Sequence, residues 1–66
     1  MASNSERLDE TDVKILRLLQ QDARLTLKEI GARVNLSSTP VYERFKRLER
    51  EGYILKYVAV LDVEKL

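Results

Sequence analysis

Residues 36–52, "LSSTPVYERFKRLEREG", decide the fold. Near its start this stretch carries three hydroxyl residues and a proline; it then turns basic and ends on glycine. Ser37 is of the type that caps a helix. Pro40 falls in the first turn, where its missing N–H costs little. At about 100° per residue, Val41, Phe45 and Leu48 lie within about 60° of one another and form an apolar seam. Gly52 stops the helix. The side opposite the seam carries Thr39, Glu43, Lys46 and Arg50, flanked by Tyr42 and Arg47. One face is built to dock on a core, and the other is polar and basic.

Working outward toward the amino end, Thr26 caps a second helix and Glu29, three residues on, completes a capping box. Leu27, Ile30, Gly31 and Val34 follow the i, i+3, i+4, i+7 pattern of a half-buried helix. A glycine inside a helix costs about 1 kcal/mol, so Gly31 is expected to face inward, where another helix approaches closely. Asn35 ends this helix, being the residue after glycine that best accepts a left-handed turn. Earlier still, Asp9 or Thr11 can cap a first helix, with Glu10 and Asp12 beside its positive end. Val13, Ile15, Leu16 and Leu19 share a broad apolar side that runs to about Gln21, with Leu18 at its edge. Residues 1–7, "MASNSER", are polar and expected to form a mobile tail. Beyond Gly52, "YILKYVAVLDV" is β-branched and aromatic and is expected to form a strand.

Two short helices joined by the "RVNLSS" turn make a helix-turn-helix. The second helix of such a pair enters the major groove with its amino-terminal residues nearest the base edges. Small hydroxyls at Ser38 and Thr39 let the backbone come close, and they can donate or accept. Helix N–H groups at the same end suit phosphate oxygens. The charge pattern agrees. Residues 24–50 hold seven basic side chains and three acidic ones, a net +4 in a chain whose total is +1. A basic middle in a nearly neutral chain is a footprint that polyanions select.

The rest of the composition removes other classes. The 66 residues make one small domain or a fragment of a longer protein. With no cysteine and no histidine there are no disulfides, no thiolate nucleophile and no common zinc set. No Gly-rich phosphate loop is present, and the carboxylates sit where capping explains them, which argues against an enzyme. No cofactor and no metal are expected. No run is long and apolar enough to span a membrane. The expectation is a soluble, cytoplasmic protein.

Three segments taken together carry a resemblance: "LDETDVKILRLLQQDAR", "EIGARVNLSSTPVYERFKRLEREGYI" and "YVAVLD". From Leu8 to Leu66 the chain resembles the N-terminal DNA-binding domain of the Lrp/AsnC, or feast/famine, family of transcription regulators. The resemblance implies a mainly α fold, a three-helix winged-type helix-turn-helix (residues 8–52) followed by a C-terminal β-strand. Leu27 to Lys46 would be the helix-turn-helix proper. Residues 53–66 would be a strand and linker toward a C-terminal domain that senses amino acids and builds oligomers. That domain lies outside this sequence, so the chain is expected to be a fragment or a stand-alone short form. An amino-acid effector would act only in a full-length parent.

The implied partner is double-stranded DNA, and individual roles follow. Ser38, Thr39, Tyr42, Glu43 and Lys46 are candidates for base-edge or groove contact. Tyr42 could equally pack on the shoulder of the core. Glu43 could accept from a cytosine amino group or pair with Arg47 at i+4. Lys28, Arg33, Arg44, Arg47 and Arg50 are candidates for phosphate contact. For Arg44 the alternative is to brace helix one through Asp12; for the others it is plain surface charge. In residues 53–61 only Lys56 interrupts an apolar run, so an unpaired strand there would be a pairing hazard. The expectation is a homodimer through that strand, burying Ile54, Tyr57, Val58 and Val60. A module that binds protein is the alternative, and it predicts little salt dependence.

Overall fold

A computed structural model describes residues 8–66. The expected mobile tail, residues 1–7, lies outside the described residues. Three helices run in order: α1 (Glu10–Gln21), α2 (Leu27–Val34) and α3 (Ser38–Arg50), with a short 3₁₀ turn at Val63–Lys65.

Local chemistry starts α1 and α2. Asp9, not Thr11, caps α1: its carboxylate accepts from the Asp12 N–H at 2.8 Å, and Asp12 accepts from the Asp9 N–H at 3.2 Å. Thr26 and Glu29 close the same kind of box on α2, at 3.1 and 2.8 Å. Each box satisfies two backbone donors that a helix start otherwise leaves open.

Ile15, Leu19, Ile30, Val41 and Leu48 form the buried core, one or two from each helix. Burying each such side chain contributes about 1.5–3 kcal/mol. Leu16, Leu27, Val34, Phe45 and Ile54 pack around it, partly covered. The sharp α2–α3 turn holds this arrangement. Asn35 takes φ 60° and ψ 42°, the left-handed conformation its residue type tolerates. Gly31 faces inward as expected, and α3 does pack on it through Val41, whose Cγ2 would stand 3.6 Å from an added Cβ; its tightest neighbour, however, is the turn itself. A Cβ there would stand 2.3 Å from the Leu36 carbonyl oxygen. That carbonyl is backbone and cannot swing aside.

At the far end of α3, Gly52 takes φ +84°. Its N–H donates to the Glu49 carbonyl at 3.1 Å and the Tyr53 N–H to that of Leu48 at 2.9 Å. These two bonds are a Schellman closure. It turns the chain back so that Ile54 reaches the core and the Tyr57 ring lies 6.1 Å from that of Phe45.

The expected strand is not present. Residues 54–62 carry no regular secondary structure, and no strand occurs among the described residues. A ladder needs a partner backbone, and none lies beside this segment. Leu55 and Val60 are consequently 88% and 95% exposed. Ile54, expected to be buried by dimer formation, is already partly buried against the chain's own core. No helix among the described residues is long and apolar enough to cross a membrane.

Candidate nucleic-acid interface

Helix α3 presents different chemistry on its two flanks. The outer flank is the stripe expected from the sequence. Ser38, Thr39, Tyr42, Glu43, Lys46 and Arg50 are all exposed, while Val41 and Leu48 are fully buried on the other side. Tyr42, whose alternative was to pack on the core, is 49% exposed. The amino end of α3 also differs from the other two. Ser37 occupies the cap position, but its side chain makes no capping hydrogen bond, and the first turn holds no acid. Pro40 is the third helical residue, so the N–H that a cap would most readily engage does not exist. The backbone donors of this end are left for another partner.

The inner flank is an ion-pair cluster against α1. Arg44 Nη1 donates to both Asp9 oxygens, at 2.8 and 2.7 Å, and to Asp12 Oδ1 at 3.0 Å. Arg47 Nη2 donates to Asp12 Oδ2, and its Nη1 lies 3.5 Å from Glu51. The sequence reading placed both arginines among the phosphate contacts. The structure directs both guanidinium groups inward to carboxylates, and of the two roles open to Arg44 it shows the brace onto α1. The hydrogen bond from Arg44 holds the Asp9 carboxyl below its ordinary value of 3.8.

Lys28, Arg33 and Arg50, the remaining phosphate candidates, are exposed and enter no ion pair among the described residues. Lys46 is exposed but tethered, its Nζ 3.1 Å from Glu49 Oε1. Glu49 in turn accepts from the Tyr57 hydroxyl at 3.0 Å. The bond to Glu49 raises the Lys46 ammonium above its ordinary 10.5. Burial, and then the bond it donates to Glu49, push the Tyr57 phenol up to about 12. Sequence reasoning missed Glu49 and Tyr57. The i, i+3 spacing of Lys46 and Glu49 was a usable signal. Tyr57 had none, because only the reversal at Gly52 brings it back.

A capped helix pair, a tight left-handed turn and a third helix with an open amino end and an exposed polar stripe match a known family. Residues 8–54 match the model of the winged helix-turn-helix DNA-binding family. The chain belongs to this family, as a domain of the Lrp/AsnC type. It is 49% identical over 59 residues to the DNA-binding transcriptional activator DecR of Escherichia coli K12, covering 89% of this chain and 39% of that protein. It is 49% identical over 55 residues to the leucine-responsive regulatory protein of the same strain, covering 83% of this chain and 34% of that protein. Its structure is similar to that of a Neisseria meningitidis transcriptional regulator crystallised with L-Met. The TM-score is 0.84 at 46% identity, over 88% of this chain and 38% of that one. This Lrp/AsnC-type domain thus spans about two fifths of the length of the curated relatives it matches. It is a winged helix-turn-helix DNA-binding domain.

Proposed function

We propose that this domain reads double-stranded DNA in a sequence-specific way, with α3 in the major groove. The observation that carries this reading is the unbroken exposed stripe of Ser38, Thr39, Tyr42, Glu43 and Lys46, which starts at an uncapped helix end. Ser38 and Thr39 come closest to the base edges; Tyr42, Glu43 and Lys46 follow along the groove. Lys28, Arg33 and Arg50 contact phosphates. Arg44 and Arg47, held on α1 carboxylates, support the helix from behind.

Two further assignments belong to the same proposal. A second copy of the chain pairs with residues 55–61, where Leu55, Val58, Val60 and Leu61 are exposed. A two-fold dimer matches the paired half-sites such readers use. An amino-acid effector acts only on a full-length parent, a cytoplasmic regulator in which residues 53–66 lead to a sensing domain.

The test is binding to pooled random duplex DNA across a salt series, with sequencing of the bound fraction. The expected result is a slope of about 0.9 per contacted phosphate, with an enriched motif. Steep salt dependence without enrichment would restrict the domain to electrostatic binding. No binding at low salt would favour the protein-binding alternative. A strictly monomeric mass at high micromolar concentration would overturn the dimer.

A further inference from the structure

Asp12 is 1% exposed, the single buried charged residue among those described. A carboxylate this deep is costly unless both oxygens are paired. Here they go to different arginines of the same helix: Oδ1 to Arg44 at 3.0 Å, and Oδ2 to Arg47. Oδ2 also accepts from the Asp9 N–H, which locks the carboxylate to the start of α1. Arg44 and Arg47 are three residues apart, so they mark two points on one flank of α3. A helix pinned at two points on one flank cannot roll about its axis. Roll decides which side chains face outward, and a displacement of about 1 Å is enough to break a bidentate base contact. The same pairing turns two cations away from the surface that adjoins Glu43 and Arg50.

We propose that Asp12 is a positioning residue for DNA discrimination: it fixes the roll of α3 and keeps Arg44 and Arg47 off the phosphate backbone. Basic residues that touch only phosphate add affinity for every sequence alike. Withdrawing two of them lowers non-specific binding, and pinning the helix preserves specific binding. Both effects widen the ratio between the two. This role rests on the reading of α3 as the groove-entering helix.

The experiment uses the whole chain with Asp12→Asn, which keeps the shape of the side chain and removes its charge, and with Arg44→Met. Binding to the selected duplex and to a scrambled duplex is followed across a salt series, at a temperature where circular dichroism shows matched helix content. For Asp12→Asn the specific-to-scrambled ratio is expected to fall about tenfold. Its slope on the scrambled duplex should steepen by about one unit as a guanidinium becomes available to phosphate. For Arg44→Met the ratio should also fall while the slope stays unchanged, because Arg44 does not touch DNA. This second variant decides the matter if Asp12→Asn does not fold. An Arg44→Met slope flatter by about 0.9 would place Arg44 on a phosphate and overturn the proposal. Unchanged ratio and slope in a folded Asp12→Asn would also overturn it. If the wild type binds without sequence preference, the slopes alone decide. A wild type that binds no duplex at all overturns the reading of α3 and the role of Asp12 together. A discriminating wild type with unaltered variants overturns only the latter.

Discussion

The amino ends of α1 and α2 differ from that of α3, and the difference separates structure from function within 66 residues. At the first two ends an acidic third residue folds back on the cap, and every bond stays inside the chain. At the third the cap side chain makes no bond, the third residue is proline, and no acid stands in the first turn. Closed ends stabilise the fold. An open end costs some of that stability and leaves donors facing outward where a polyanion can meet them. The two flanks of α3 repeat the contrast, with Arg44 and Arg47 turned inward and Lys46 and Arg50 outward.

Apart from the pairing of Asp12 with Arg44 and Arg47, which orients α3, substitutions on the closed side should change stability and leave DNA binding by the folded chain intact; those on the open side should do the reverse. The largest loss is expected at the turn that sets the angle between α2 and α3. Gly31→Ala should lower unfolding free energy by about 1–3 kcal/mol in urea titration, although the same change in an open helix would stabilise it. Stabilisation by this variant would mean that the Leu36 carbonyl gives way. Next, Thr26→Ala should cost about 1 kcal/mol by the same assay, with an unchanged salt slope for DNA.

On the open side, Lys46→Ala should alter stability by no more than about 0.5 kcal/mol. Its DNA salt slope should flatten by about one unit, read by fluorescence anisotropy. An unchanged slope with lost stability would move Lys46 to the closed class, through its tether to Glu49. Smaller still is the response to acid. Asp9 is ionised more readily in the fold than in the unfolded chain. Its contribution is therefore present above the ordinary value of 3.8 and is lost as pH falls through the lower folded value. In thermal melts the Asp9→Asn chain should lose less stability than the wild type between pH 5 and about pH 2; parallel losses would place the acid response elsewhere. The smallest effect belongs to Ser37→Ala. A cap that makes no bond has little to lose, so a drop near the ~1 kcal/mol of an ordinary cap would show that α3 is closed in solution after all.

Most of the fold was legible because its signals are local. The Thr26–Glu29 box, Asn35 at the turn, Gly52 at the stop and the seam of Val41, Phe45 and Leu48 each depend on neighbours within a few residues. The exposed stripe follows from the same periodicity, since fixing the buried side of a helix fixes the other. The strand at 53–61 was misread because β-branched composition states only a preference, and a ladder needs a second backbone that this chain does not place there. Gly31 was read correctly as inward, but the carbonyl it admits belongs to a turn whose path no residue type announces.

By itself the sequence determined three helices, their caps, their apolar sides and the basic middle of the chain. The tertiary structure alone decided which flanking cations turn inward. Periodicity puts Arg50 within the exposed stripe and Arg47 at its flank, but Arg47 and its partner Asp12 lie 35 residues apart, and nothing local shows that a buried carboxylate stands beside that flank. The distinction arises when α3 docks on α1. A guanidinium that arrives beside a buried carboxylate must pair with it, because leaving that charge alone in the core would cost more than the lost hydration of the arginine.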